Sequence, residues 1–222
     1  MSTRIVVVTR LINYLHRRDI LAVRASLFHG VCVGRESRDG QILNSTSASI
    51  HDPDLGPLVI QCNRYYIPHF TWRTRWPIVS ARFRECLNLD DKFRFLPVKI
   101  EKMVSFAWDI GEPLPDRIAA LEGKALFSAL PESQVHENVD LYEMLMHLHG
   151  SISNRFEGLR TVQIDDGTPP ETEFVDIECS KEMLLEFPVF AKQYSIVFAE
   201  WAWRRVEDLI DRRFFTIRSY SI

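Results

Sequence analysis

The residues best placed to do chemistry are two histidines in the run Met-His-Leu-His-Gly, His147 and His149. On a strand, i and i+2 side chains point the same way, and paired imidazoles with a carboxylate are a common zinc-ligand set. Glu143 lies four residues before His147. No further ligand follows at a spacing that completes a known site, so the pair reads as polar residues at a strand edge. Asp165 and Asp166, in Asp-Asp-Gly-Thr-Pro-Pro, could draw a cation but have the composition of a solvated turn. Cys32, Cys62, Cys86 and Cys179 lie far apart with no Cys-x-x-Cys pair, which disfavours a disulfide framework and a zinc knuckle alike. Buried, reduced thiols in a cytoplasmic protein are the expectation. The chain carries no Gly-rich phosphate loop, no Gly-x-Ser-x-Gly and no His-Glu-x-x-His. The reading is therefore no catalytic residue, no metal, no cofactor and no enzyme, with a metal-dependent enzyme of unknown substrate kept as an alternative.

The segment from Arg64 to Trp76, RYYIPHFTWRTRW, interleaves aromatics with arginines. Such a surface can stack and clamp single-stranded nucleic acid, and nucleic-acid binding is the other alternative. Tyr66, Phe70, Trp72 and Trp76 share even parity, which suits one buried strand face. The overall pI of about 6.2 also argues against a dedicated nucleic-acid binder, because such domains are usually basic.

Charge is divided along the chain. Residues 1–100 hold 15 Lys and Arg against 8 Asp and Glu, and residues 101–222 hold 12 against 22. Residues 125–180 have only Arg155 and Arg160 against eleven acids. A field of one sign steers a partner of the other and rejects the wrong one. The expected partner is a protein with a basic cleft, met by a rim formed from Glu137, Asp140, Asp165, Asp166, Glu171 and Glu173. Trp201 and Trp203 cannot both face one core from a helix. An exposed tryptophan is a frequent interface anchor, and Trp203 is taken as that anchor.

The elements that position these residues are α+β. Residues 4–9 form a β-branched strand, and 11–28 mix helical spacing with breaks. Residues 34–57 are a loop region. Ser80 caps a helix with Phe83, Cys86 and Leu87 on one stripe. Phe93 and Phe95 open a strand toward Ile100, and Met103–Ile110 reads as another. Asp116 caps a short helix stopped by Gly123. Tyr142–His149 has strand length, and Phe174–Ile177 suggests a strand. Ser180 caps the next helix. A helix with Trp201, Ala202, Val206, Leu209 and Ile210 on one stripe precedes a closing strand, Arg212–Tyr220.

One pattern occurs twice. From Ile67 the chain reads IPHFTWRTRWPIVSARFRECLNLDDKFRFLPVKI, and from Phe187 it reads FPVFAKQYSIVFAEWAWRRVEDLIDRRFFTIRSYSI. Each copy has Pro-x-Phe, a short gap, Ile-Val, an amphipathic helix, a charged turn and a Phe-rich strand. With the upstream run VDIECS, Val175–Ser180, this resembles the immunity proteins of bacterial polymorphic-toxin and contact-dependent inhibition systems. The resemblance covers 67–100 and 174–220, and Phe198 departs from it where the first copy has Ser80. It implies an intracellular antitoxin that binds one cognate toxin domain and occludes its active site without chemistry of its own. The expected architecture is two related strand–helix–strand modules with mixed or antiparallel sheets. A net basic module would span 1–100 and a net acidic module 101–222, cytoplasmic and without a membrane span.

Overall fold

The computed structural model describes residues 4–10, 26–46, 51–52, 54–72, 75–109, 111–134, 139–146, 159–162, 171–174, 181–192 and 195–221. Within them the fold is α+β, with short helices and strands in mixed and antiparallel sheets. The chain divides into two compact units, Arg17–Leu145 and Met1–His16 with Met146–Ile222. This differs from a division at residue 100, and the reason is local. A strand runs unbroken from Arg94 to Val104, so a boundary at 100 would sever its hydrogen-bond ladder.

The first strand, β1 (Arg4–Arg10), belongs to the second of these units. The unit Arg17–Leu145 is built on β2 (Val31–Glu36), β3 (Ile42–Leu43), β4 (Leu58–Asn63), β5 (Phe70–Thr71), β6 (Ile78–Ser80), α1 (Ala81–Leu87), β7 (Arg94–Val104), α2 (Asp116–Ala119), α3 (Gly123–Ala129) and β8 (Leu141–Leu145). Its strands form one seven-stranded sheet in the order β3-β2-β4-β7-β8-β6-β5. Among the described residues only β4 and β7 pair in parallel. Leu58, Ile60, Cys62, Ile78, Met103 and Leu141 cluster in its core. The ladder between β2 and β4 shifts register between Cys32 and Gly34. A Cβ on Gly34 would collide with the carbonyl oxygen of Leu43 on β3, so the close approach of β3 needs glycine here.

Ser80 caps α1 as its type predicts, its Oγ accepting from the Phe83 amide at 3.2 Å. Phe83 and Leu87 are the buried stripe, and Asn88 closes the helix in the left-handed region at φ 49°. Three expectations change here. Residues 105–109 are not strand, since β7 ends at Val104. Asp116 is the first residue of α2 rather than its cap, which is Pro115. Gly123 is left-handed at φ 52°, yet it opens α3 rather than only ending α2.

The other unit adds β9 (Leu159–Val162), β10 (Glu171–Phe174), α4 (Lys181–Glu186), β11 (Val189–Lys192), β12 (Ser195–Ala199), α5 (Glu200–Trp203), a 3-10 turn at Glu207–Leu209 and β13 (Phe215–Ser221). Its main sheet has the order β11-β12-β1-β13, all antiparallel. Ile5, Val6, Val7 and Val8 are all at most 3% exposed. A continuous β-branched run is what a strand covered on both faces requires. One face joins Ile5 and Val7 to Leu184, Phe190, Val197 and Ala199. The polar end of the ladder is satisfied by Thr9 and Ser195, whose hydroxyls lie 2.9 Å apart. The expected long helix over 201–210 is broken into α5 and the 3-10 turn.

Candidate functional site

Glu143 sits on β8, which its neighbours β6 and β7 hold between them. The side chain is fully buried, and Arg35 on β2 places Nη2 at 2.9 Å and 2.7 Å from its two carboxylate oxygens. Arg35 Nη1 donates to the Gly56 carbonyl at 2.7 Å. Burial pushes the Glu143 carboxyl up from its ordinary value, and the guanidinium opposes that rise. Glu143 is thus committed to an ion pair with Arg35. His147 and His149 lie outside the described residues. Among the described residues no group of three or more His, Cys, Asp or Glu side chains converges to hold a metal ion.

The aromatic-arginine segment is mostly core. Phe70, Trp72 and Trp76 are at most 1% exposed, although among the described residues of this segment only Phe70–Thr71 is strand. Tyr65 is the aromatic left at the surface, with the Arg64 guanidinium 4.9 Å from its ring centroid. His69 and Ser80 lie together, Nδ1 to Oγ at 2.8 Å. Ser80 is spent as the cap of α1, and burial, then Arg82, lowers the imidazole pKa.

Beside α1 lies a cleft of about 370 Å³ lined by Ala81, Arg84, Glu85, Asn88, Asp90 and Tyr142. The Arg84 guanidinium lies 4.9 Å from the ring centroids of both Phe95 and Tyr142. Its Nε and Nη2 donate to the Asp90 carboxylate, which raises the Arg84 pKa and lowers that of Asp90. The cation is therefore charge-balanced by its own chain. The sequence marks this site only weakly, by an Asp six residues after an Arg across a helix end.

Of the acidic rim, Glu137, Asp165 and Asp166 lie outside the described residues. Glu171 and Glu173 lie on β10. Asp140 is exposed, and its carbonyl accepts from the Ala81 amide at 2.9 Å, tying the start of β8 to the start of α1. Acids outside the chosen rim are also at the surface. Asp109, Glu112, Asp116, Glu122 and Glu132 are exposed, against exposed Arg117 and Lys124.

The tryptophan choice is corrected. Trp203 is 5% exposed, its ring centroid 5.6 Å from that of Phe198 and its Nε1 donating to Glu207 at 3.1 Å. Trp201 is the one at the surface, 36% exposed, with Arg205 5.0 Å from its ring centroid. Helical geometry sets residues two apart on roughly opposite faces, and Phe198 fixes which of them turns inward.

Among the described residues no helix is long and apolar enough to cross a membrane. Comparison of the chain with family models, with curated proteins and with solved structures finds no match.

Proposed function

We propose that the protein is an immunity protein, which binds a cognate toxin domain and blocks its active site by occlusion. The observation that carries this reading is the run of exposed carboxylates Asp109, Glu112, Asp116, Glu122, Glu132 and Asp140, offset only by exposed Arg117 and Lys124. Such a run steers a basic cleft toward it and rejects acidic partners. The repeated segments and their likeness to toxin-immunity proteins support the same reading. Trp201, on the other unit, is a separate candidate for an aromatic contact with the partner, with Arg205 5.0 Å from its ring centroid. Anchoring by a rigid aromatic slows dissociation, while the charged rim speeds encounter.

The test is co-expression with toxin domains encoded by neighbouring genes, followed by pull-down and measurement of toxin activity. A stable complex with an inhibited toxin is expected. Survival of the cells without a stable complex would reject occlusion and favour an enzyme that reverses the damage. Salt-sensitive binding of single strands by the purified chain would favour a nucleic-acid binder instead.

A further inference from the structure

The two sheets share more than a pattern of elements. In one, hydrogen-bonded neighbours align Phe70, Val79, Tyr142 and Pro97 in a row across β5, β6, β8 and β7. In the other, Phe190, Val197, Val7 and Arg218 align across β11, β12, β1 and β13. The next row is Thr71, Ile78, Glu143 and Leu96 in the first, and Ala191, Ile196, Val8 and Ile217 in the second. All these pairings are antiparallel. The sequence repeat already equates Phe70 with Phe190 and Ile78-Val79 with Ile196-Val197. Strand pairing reproduces those equivalences independently, and it extends them to β8 and β1.

Chain order then exposes an oddity. With β3, α2, α3 and α4 left aside, each half of the chain runs as a strand, an antiparallel strand pair, a hairpin, a helix and a closing strand. In the first half these are β1, β2 with β4, β5 with β6, α1 and β7. In the second they are β8, β9 with β10, β11 with β12, α5 and β13. Yet β1 does not enter the sheet of its own half. It lies between β12 and β13, and β8 lies between β6 and β7.

We infer that the chain is a tandem duplication of one module whose first strands, β1 and β8, are reciprocally exchanged, with the Arg35–Glu143 ion pair fixing which sheet each strand joins. Backbone rows of the same antiparallel register serve both strands, although β1 pairs over longer ladders than β8, so pairing direction alone does not choose between the arrangements. The side chains at one equivalent position do. Glu143 is the counterpart of Val8. Returned to its own half, Glu143 would stand between Ile196 and Ile217, a carboxylate without a cation in an apolar row. Val8 would stand between Ile78 and Leu96, and Arg35 would lose the carboxylate it meets at 2.7 Å. Burying an uncompensated charge is costly on both sides of the exchange, whereas apolar residues at both positions would leave the two arrangements nearly equivalent. Fixing register and partner choice is the best-attested use of a buried polar group.

Disulfide trapping in the full-length chain tests this. Antiparallel partners stand within disulfide reach, so Val7→Cys with Arg218→Cys reports the exchanged arrangement. By equivalence of the rows, Val7→Cys with Pro97→Cys reports β1 in its own half. With Arg35 and Glu143 intact, peptide mapping of the oxidised protein should find the first link within single chains and not the second. The second link in that background would overturn the exchange. In Arg35→Met/Glu143→Met, or in Arg35→Leu/Glu143→Val should the first variant fail to fold, both links should form. Persistence of the exchanged link alone in a folded apolar variant would overturn the role given to the ion pair, and the unsubstituted background decides the exchange whatever the variants do.

Discussion

Arg35 and Glu143 meet across three strand spacings of one sheet, with Nη2 of Arg35 bridging both oxygens of Glu143 at 2.9 Å and 2.7 Å. Between β2 and β8 lie β4 and β7. In a flat sheet the outer two of those strands would stand about 14 Å apart, so the contact exists because the sheet curls and brings its concave face together. Removing one partner leaves the other charge buried alone. Glu143→Gln should therefore lose about 3–5 kcal/mol of stability, while Arg35→Met/Glu143→Met should return close to the parent. Denaturant titration of the three proteins checks this, and equal loss in the single and double variants would show that packing volume, not charge, is at stake.

The cysteines separate by burial. The Cys62 thiol is 4% exposed, and burial pushes its pKa up to about 12 from the usual 9.0. Cys86 is exposed, against the expectation that the thiols are buried. A maleimide should modify Cys86 quickly and Cys62 only on unfolding, since the thiolate is the reactive species. The linkage has a defined sign. A thiol whose folded value is raised contributes stability in full below pH 9.0, and loses it as pH climbs toward about 12. Mass spectrometry of the labelled native and unfolded protein reads the first effect, and alkaline denaturation of Cys62→Ala beside the parent reads the second.

Much of this fold is legible where a single segment carries the signal. The Ile5–Val8 run, the Ser80 cap and the extended Ile-Val segments at 78–79 and 196–197 are local patterns, and the structure keeps all three. Pairing between distant strands leaves no such trace. Nothing in the Ile5–Val8 run says that its neighbours are 195–199 and 215–221, nor does Arg35 announce a carboxylate 108 residues away. The tryptophans fail for a different reason. Period alone shows that Trp201 and Trp203 diverge, but only the position of Phe198 decides which one is covered.

Ser80 carries two contacts that its counterpart Phe198 cannot make: the cap on Phe83 and the 2.8 Å contact with His69. Ser80→Ala should cost roughly 1 kcal/mol through the freed amide of the first turn. Ser80→Asp or Ser80→Thr should recover part of it, because each retains a side-chain oxygen. Thermal melts of the set provide the check. An alanine variant as stable as the parent would mean that water caps the helix equally well.

Trp201 and Trp203 give opposite expectations, which makes them the sharpest pair to compare. Trp203 packs on Phe198 and donates to Glu207, so Trp203→Ala should lose about 3–5 kcal/mol of stability through the cavity it leaves. Trp201 is 36% exposed with Arg205 over its ring, so Trp201→Ala should cost clearly less than Trp203→Ala, about 1 kcal/mol. If Trp201 anchors the toxin, the same change should weaken the complex by 2 kcal/mol or more, roughly thirtyfold, with the fold intact. Calorimetry of the complex beside a thermal melt separates the two effects. An unaltered affinity in a folded Trp201→Ala protein would remove Trp201 from the interface and leave recognition to the carboxylates between Asp109 and Asp140. Their contribution would then appear as an association rate that falls steeply with added salt.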